Sequence, residues 1–233
     1  MIVSIHQPSY FPWLGLLHKI ARSDKYIVMD EVQLNDAAYQ HRNLFLASDG
    51  KTKYLTIPFS KKGYLQRTFR ELEIADASWR DRHLNFIGSN YRKHPYFKAI
   101  FPAVEQYLAC DYERLIDAVV ASMRISMELF GVQTETVFQS NVEHDRALRR
   151  GGLVLGLVRG SGADVYLSGT GAQEYLDAKA FTGGLSLRYD VFRHPEYSQK
   201  NAASFVAGLS CLDVLFNLGV DASRRLLYGG CGD

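Results

Sequence analysis

The 233-residue sequence predicts a three-layer α/β fold, with a mainly parallel, twisted sheet flanked by helices. Two observations carry this. Short apolar runs alternate along the chain with stretches of helical spacing, the pattern of repeated βα units. Several of those runs end in polar residues beside Gly or Pro, as strands do when they enter loops. The composition agrees: 47% hydrophobic and 22% charged residues lie in the globular range and supply one core. The chain therefore reads as a single domain over residues 1–233, without internal repeats or low-complexity linkers.

Met1–Ile5 is an apolar run suited to a buried strand, and Trp13, Leu16, Leu17, Ile20 and Ala21 then recur at helical spacing. Ser23-Asp24 break that helix, and Tyr26–Met29 reads as a second buried strand ending at Asp30. Such a βαβ unit places its ligand crevice at the carboxyl ends of its strands, where His6 and Asp30 fall. Tyr54–Pro58 (YLTIP) predicts a third strand. A helix is expected from Ser78 to Tyr91, stopped before Pro95, and another after Pro102. The clearest amphipathic stripe is Tyr112, Leu115, Ile116, Val119, Val120, Met123, Met127 and Phe130, with Gly131 as its stop. Gln133–Phe138 alternates like a strand, Asp145–Arg159 reads as a helix, and Asp164–Leu167 as a strand leading to a helix around Ala172–Ala178. Leu185–Phe192 predicts a further strand, and Leu209–Leu218 a last apolar helix closed by Gly219.

Charge and cysteine content give no support to several function classes. A formal charge of +2 is too balanced for a protein that lives on phosphate neutralisation, so there is no strong nucleic-acid signal. Cys110, Cys211 and Cys231 form an odd set without CxxC spacing, suggesting neither a disulfide framework nor a thiolate cage. The remaining histidines, His18, His83, His94 and His144, lack paired ligand spacing, so no metal and no cofactor are expected. No signal peptide and no apolar run long enough for a membrane span is evident, which makes the cytoplasm the expected compartment.

Four stretches hold residues able to do chemistry. In Ile5–Gly15 (IHQPSYFPWLG) two prolines forbid regular pairing and force polar side chains off a strand tip. His6 there could act as a base and Gln7 as a donor to a developing oxyanion. A hydrogen-bonded turn histidine, with Tyr10, Phe11 and Trp13 roofing the core, is the structural alternative. Asp30–Gln33 followed by Tyr39–Asn43 (YQHRN) gathers a carboxylate, amides, an imidazole and a guanidinium. Asp30 could orient His6 and Arg42 could clamp a phosphate or carboxylate, unless these are ordinary loop polarity. Tyr166–Gln173 (YLSGTGAQ) is a strand entering a glycine turn, able to cradle an anion with backbone N–H groups and the Ser168 or Thr170 hydroxyl. It is neither GxGxxG nor a P-loop, and no GxSxG elbow is present. Finally, His194–Gln199 (HPEYSQ) repeats the theme of His beside Pro, just after an expected strand. The expectation is that His6 and His194 face one polar hollow.

Taken together, IHQPSYFPWLGLLHKIARSD, DEVQL with QHRN, YLTIP, YLSGTGAQEYLD, HPEYSQ and LSCLDVLFNLG, in this order from residue 1 to about 219, resemble the WbqC-like family. The resemblance implies a bacterial cytoplasmic protein, often encoded among genes for O-antigen and related surface polysaccharides, with suggested glycine or other aminoacyl transfer onto sugars. The polar positions that match are His6, Gln7, Tyr10, Lys19, Asp30, Gln33, Arg42, Asn43, Ser168, Gly169, Gly171, Tyr175, His194, Tyr197 and Gln199. One departure is that Asn35-Asp36 stand where family members commonly carry a basic residue after the VQ pair.

These readings converge on a transferase that moves a glycyl or other small acyl group onto an amino or hydroxyl group of a sugar or nucleotide-linked sugar. The catalytic set would be His6, Gln7, Asp30 and His194. Tyr10, Lys19, Gln33, Arg42, Asn43, Ser168, Gly169, Thr170, Gly171, Tyr175, Tyr197 and Gln199 would bind substrate. The acyl donor stays open between aminoacyl-tRNA, a carrier-protein thioester and an acyl adenylate. Two rivals are a nucleotidylyl transferase-like enzyme, although Pro12–Gly15 lacks the HxGH histidines, and a non-catalytic sugar-nucleotide-binding module.

Overall fold

The structure is a computed structural model that describes residues 1–36 and 38–229; Cys231 lies outside the described residues. Its elements are β1 (Ile2–His6), α1 (Leu14–Ala21), β2 (Lys25–Val28), β3 (Arg42–Leu46), β4 (Thr52–Thr56), α2 (Trp79–Tyr91) and α3 (Phe97–Ala109). They continue with α4 (Leu115–Phe130), β5 (Glu135–Phe138), α5 (Arg150–Gly160), β6 (Val165–Gly169), β7 (Ser186–Asp190) and α6 (Cys211–Gly229). Five strands form a wholly parallel sheet in the order β5-β2-β1-β6-β7, and β3 and β4 form a separate antiparallel pair. A mainly parallel sheet between helical layers is the fold class expected.

Alternation along the strands builds two cores. Val3, Ile5, Ile27 and Tyr166 point to one face, against Leu153, Val154, Leu157 and Val158 of α5. Tyr26 and Val28 point to the other, into a larger core with residues of α1, α2, α3, α4 and α6. Strands buried on both faces read as continuous apolar runs, which is why β1 and β2 were visible in the sequence. The α4 stripe is buried from Leu115 to Phe130, and Gly131 ends it in the left-handed region (φ 68°), where glycine carries no Cβ penalty.

Several boundaries differ from expectation. The expected third strand pairs with Arg42–Leu46 as a hairpin and does not enter the main sheet. The helix expected after Pro102 starts at Phe97 and contains that proline, whose missing N–H forgoes one intrahelical bond. The helix expected from Asp145 begins at Arg150. Instead of a helix over Ala172–Ala178, β6 is followed by short helical turns at Thr170–Glu174 and Ala178–Ala180.

Gly219 interrupts α6 with φ 74° and ψ 176°, and the chain then continues helically to Gly229 instead of stopping. A Cβ at position 219 would lie 2.5 Å from the Tyr96 ring. Gly219→Ala is therefore expected to destabilise the protein by about 1–3 kcal/mol through backbone strain, with more added if the Tyr96 ring cannot swing aside. A thermal melt of the variant checks this.

Candidate active site

β1 pairs with β6 only over Ile2–Ser4, whereas it stays paired with β2 as far as His6. Beyond Ser4 the two strands part, and β6 carries Ser168 and Gly169 onward beside β7. This is where the strand order reverses, the switch point at which open parallel sheets bind ligands. The His6 carbonyl accepts from Met29 N–H on the β2 side. By alternation the Ile5 carbonyl faces the gap toward β6, and there Lys19 Nζ donates to it at 3.1 Å.

Two cavities meet at this opening. A polar lobe of about 320 Å³ is lined by His6, Trp13, Lys19, Ser168, Gly169, Thr170, Gly171, Asp190 and Phe192. A more apolar lobe of about 460 Å³ is lined by His6, Gln7, Met29, Val32, Arg150, Leu153 and Val154. Ile5, His6, Tyr166 and Tyr175 belong to both.

His6 Nδ1 lies 2.7 Å from the Gln7 carbonyl oxygen. A carbonyl can only accept, so Nδ1 carries the hydrogen and Nε2 keeps its lone pair. The ring is open to solvent through the crevice yet crowded by protein atoms. That desolvation first, and the Lys19 ammonium second, lower its pKa to about 4 against the opposing Gln7 hydrogen bond. The imidazole is therefore neutral near pH 7, the state a base needs.

Lys19 is 5% exposed, and burial lowers its pKa to about 8, opposed by Asp190. The Asp190 carboxylate lies 3.0 Å from His18 Nδ1 and accepts from Arg22 Nη1 at 3.0 Å. Gly169 and Gly171 do not have positive φ, and a Cβ on either would meet nothing within 4 Å. Both thus border open space in an ordinary backbone conformation. The buried Ser168 hydroxyl donates to the Gly169 carbonyl at 3.2 Å.

The other expected site residues divide clearly. Thr170 and Tyr175 line the crevice with those above. Gln7 contributes to the apolar lobe, but its Nε2 donates to the Gln33 carbonyl at 3.2 Å and its Oε1 accepts from Gln40 Nε2, so much of its amide braces the 33–40 loop. Gln33 donates to the Leu65 carbonyl and lines a neighbouring groove with Arg146, Arg149 and Arg150. That groove shares Val32, Arg150 and Leu153 with the apolar lobe.

Asp30 does not orient His6. It accepts from Ser140 N–H at 3.0 Å, lies 3.7 Å from Arg70 Nη1, and faces a different cavity of about 540 Å³ near the end of β5. His194 does not line either lobe. Its ring packs 5.7 Å from Phe192 and 5.4 Å from Phe205, behind the aromatic that walls the polar lobe. Arg42 sits on β3 with its guanidinium 4.5 Å from the Tyr54 ring centre, outside the crevice.

Four expected binding residues are engaged in packing instead. Tyr197 Oη donates at 2.8 Å to Asp213, a buried carboxylate that also accepts from Tyr91 Oη at 3.0 Å and whose pKa burial raises to about 6. Gln199 donates to the Val206 carbonyl and accepts from Val206 N–H, closing its own loop. Asn43 is fully buried and holds the carbonyls of Tyr10 and Phe11. Tyr10 lies in the core with Oη 2.8 Å from His83 Nδ1. Of these, Asn43 holds the loop after His6 from beneath, and Tyr10 anchors that loop in the core.

His83 gives this support a pH dependence. Burial, with a smaller contribution from Arg82, holds its pKa down to about 3, against a bond to the Thr56 carbonyl. The unfolded imidazole takes a proton near pH 6.5, whereas the folded one does so only near 3, so the unfolded state binds more protons between these values. Stability is therefore expected to fall as pH drops through that window. Urea titrations from pH 7 to 4 check it, and His83→Gln should flatten the slope.

Sequence reasoning missed Trp13, Asp190, Phe192 and Arg150 as crevice residues. Asp190 carries the strand-end signal already used for Asp30. Arg150 is one of two non-glycine residues with positive φ among those described (φ 51°; Phe11 is the other, at 37°). Among the described residues no cluster of metal-ligating side chains occurs, and no helix is long and apolar enough to cross a membrane.

The fold and crevice define a doubly wound α/β protein with a two-lobed cavity at its switch point. Its family is shown directly: the model of the WbqC-like protein family matches residues 7–225, and the chain belongs to that family. It is 28% identical over 236 residues to Uncharacterized protein Rv1507c of Mycobacterium tuberculosis, covering 97% of each chain. No solved structure matches it significantly.

Proposed function

We propose that the protein is a group transferase that moves a glycyl or other small acyl group onto an amino or hydroxyl group of a nucleotide-linked sugar, within surface-polysaccharide assembly. The observation that carries this reading is the position of His6, whose ring is a wall common to two cavities of unequal polarity. A transferase needs two substrates to meet at one proton-accepting group, whereas a simple binding module needs one lobe.

In this mechanism His6 Nε2 takes the proton of the acceptor amine or hydroxyl as that atom bonds to the acyl carbon. The bond from the acyl carbon to the donor's leaving atom then breaks, and the imidazolium returns its proton to that leaving atom. Atoms and charge balance without an oxidant or a cofactor. The N–H of Gln7 not engaged with Gln33 is a candidate donor to the acyl oxygen. The acyl identity and the glycan context come from the likeness to WbqC-like proteins.

A second reading, a sugar-nucleotide-binding module, is favoured by the strand order alone. Mass spectrometry of the surface glycan and its sugar-nucleotide precursors, from cells with and without the protein, separates the two. Loss of an acyl substituent on an otherwise intact glycan is the expected result; loss of an entire sugar would instead indicate a role in precursor supply.

A further inference from the structure

We propose that the polar lobe is a phosphoryl seat, in which Lys19 and the open turn Ser168–Gly171 hold the diphosphate of the nucleotide-linked sugar. This rests on the transferase reading for the identity of the ligand, but on its own observations for the site.

The first observation is the lysine. An ammonium has three N–H donors, and Lys19, 95% buried by its 5% exposure, has one acceptor among the described residues, the Ile5 carbonyl. A buried cation with donors to spare on a cavity wall is costly unless something anionic completes its shell. Burial lowers its pKa to about 8, which still leaves the ammonium the major form at pH 7.

The second observation is that the carboxylate whose charge acts on Lys19 is already engaged. Asp190 lines the same lobe, but Arg22 donates to one of its oxygens and His18 Nδ1 lies 3.0 Å from the other. The third is the space itself. Gly169 and Gly171 border the lobe with nothing within 4 Å of where a Cβ would sit, so a ligand can approach the backbone of the turn. An open turn at a switch point, with the Ser168 and Thr170 side chains and two glycines along the same lobe, leaves room for a phosphoryl group. At the rim, the edge-to-face Trp13–Phe192 pair, with centroids 5.6 Å apart, offers an aromatic surface for the nucleoside.

The test is calorimetric titration of the full chain with uridine diphosphate, pyrophosphate and glycine, without turnover. Wild type should bind the two phosphate compounds in competition with each other, and Lys19→Met should weaken both by about tenfold or more. Gly169→Ala should weaken them comparably while leaving the thermal midpoint almost unchanged, because its methyl enters open space. That second variant separates loss of the seat from misfolding.

Failure of wild type to bind either phosphate compound at millimolar concentration, unchanged affinity in both variants, or glycine competing where the phosphates do not, would each overturn the seat. None of these outcomes bears on His6. Conversely, normal diphosphate binding with undiminished transfer in a His6 variant would overturn the transferase mechanism and leave the seat standing.

Discussion

His6→Gln is expected to lower the transfer rate by about 100-fold or more while leaving substrate binding nearly intact. Glutamine keeps a donor for the Gln7 carbonyl and fills similar space, so the wall between the two lobes survives. It cannot accept a proton at neutral pH, and only the chemical step loses its base. The wild-type profile should carry the same signature. Because desolvation first and Lys19 second hold the His6 pKa below its ordinary value, the acid limb of kcat/KM should lie below the ordinary histidine range. Single-turnover rates against pH for both proteins read the two effects together. A variant within about threefold of wild type would remove His6 from the chemistry.

Asn43→Ala is expected to destabilise the protein by about 3 kcal/mol, because two buried carbonyls lose their donor at once. Asn43 Nδ2 donates to the Tyr10 carbonyl at 3.0 Å and to the Phe11 carbonyl at 2.7 Å, and its Oδ1 accepts from Leu44 N–H at 2.7 Å. It is completely buried, so water cannot replace those bonds. Phe11 is held at φ 37°, a region costly for an aromatic residue, and its N–H is fixed by Ser122 Oγ at 3.0 Å. The clamp from β3 and the hydroxyl from α4 thus fix the strained turn that follows His6. Urea unfolding measures the loss, and a change below about 1 kcal/mol would show that the turn holds its shape unaided. This gives Asn43 a structural role where the sequence suggested a ligand contact.

How much could be read from the sequence depends on the range of the cause. β1, α1 and β2 are set by local apolar spacing, and His6 at the end of β1 followed directly from where that run stops. Likewise Ser168–Gly171 follow a strand whose end is marked by glycine. Strand order, however, is a long-range property. Asp30 and His6 both sit at strand ends, yet β2 lies between β1 and β5, and Asp30 turns toward Ser140 at the end of β5. Nothing in the spacing of two residues in one chain records which neighbour a strand-end side chain will meet. The same limit hid Asp190, whose strand pairs beyond β6, and placed His194 one aromatic layer behind the crevice. Arg42 and Asn43 were misread for another reason: the RNLFL run is short and follows a polar loop, so its strand character emerges only in the hairpin with Thr52–Thr56.

The most direct measurement is a crystal structure of the protein with a sugar nucleotide and a non-reactive glycyl donor analogue bound together. The expected result is one ligand in each lobe, with the acceptor atom within about 3.5 Å of His6 Nε2 and the diphosphate against Lys19. Both ligands lodged elsewhere, for example in the cavity between Asp30 and Arg114, with the space around His6 unchanged, would contradict it.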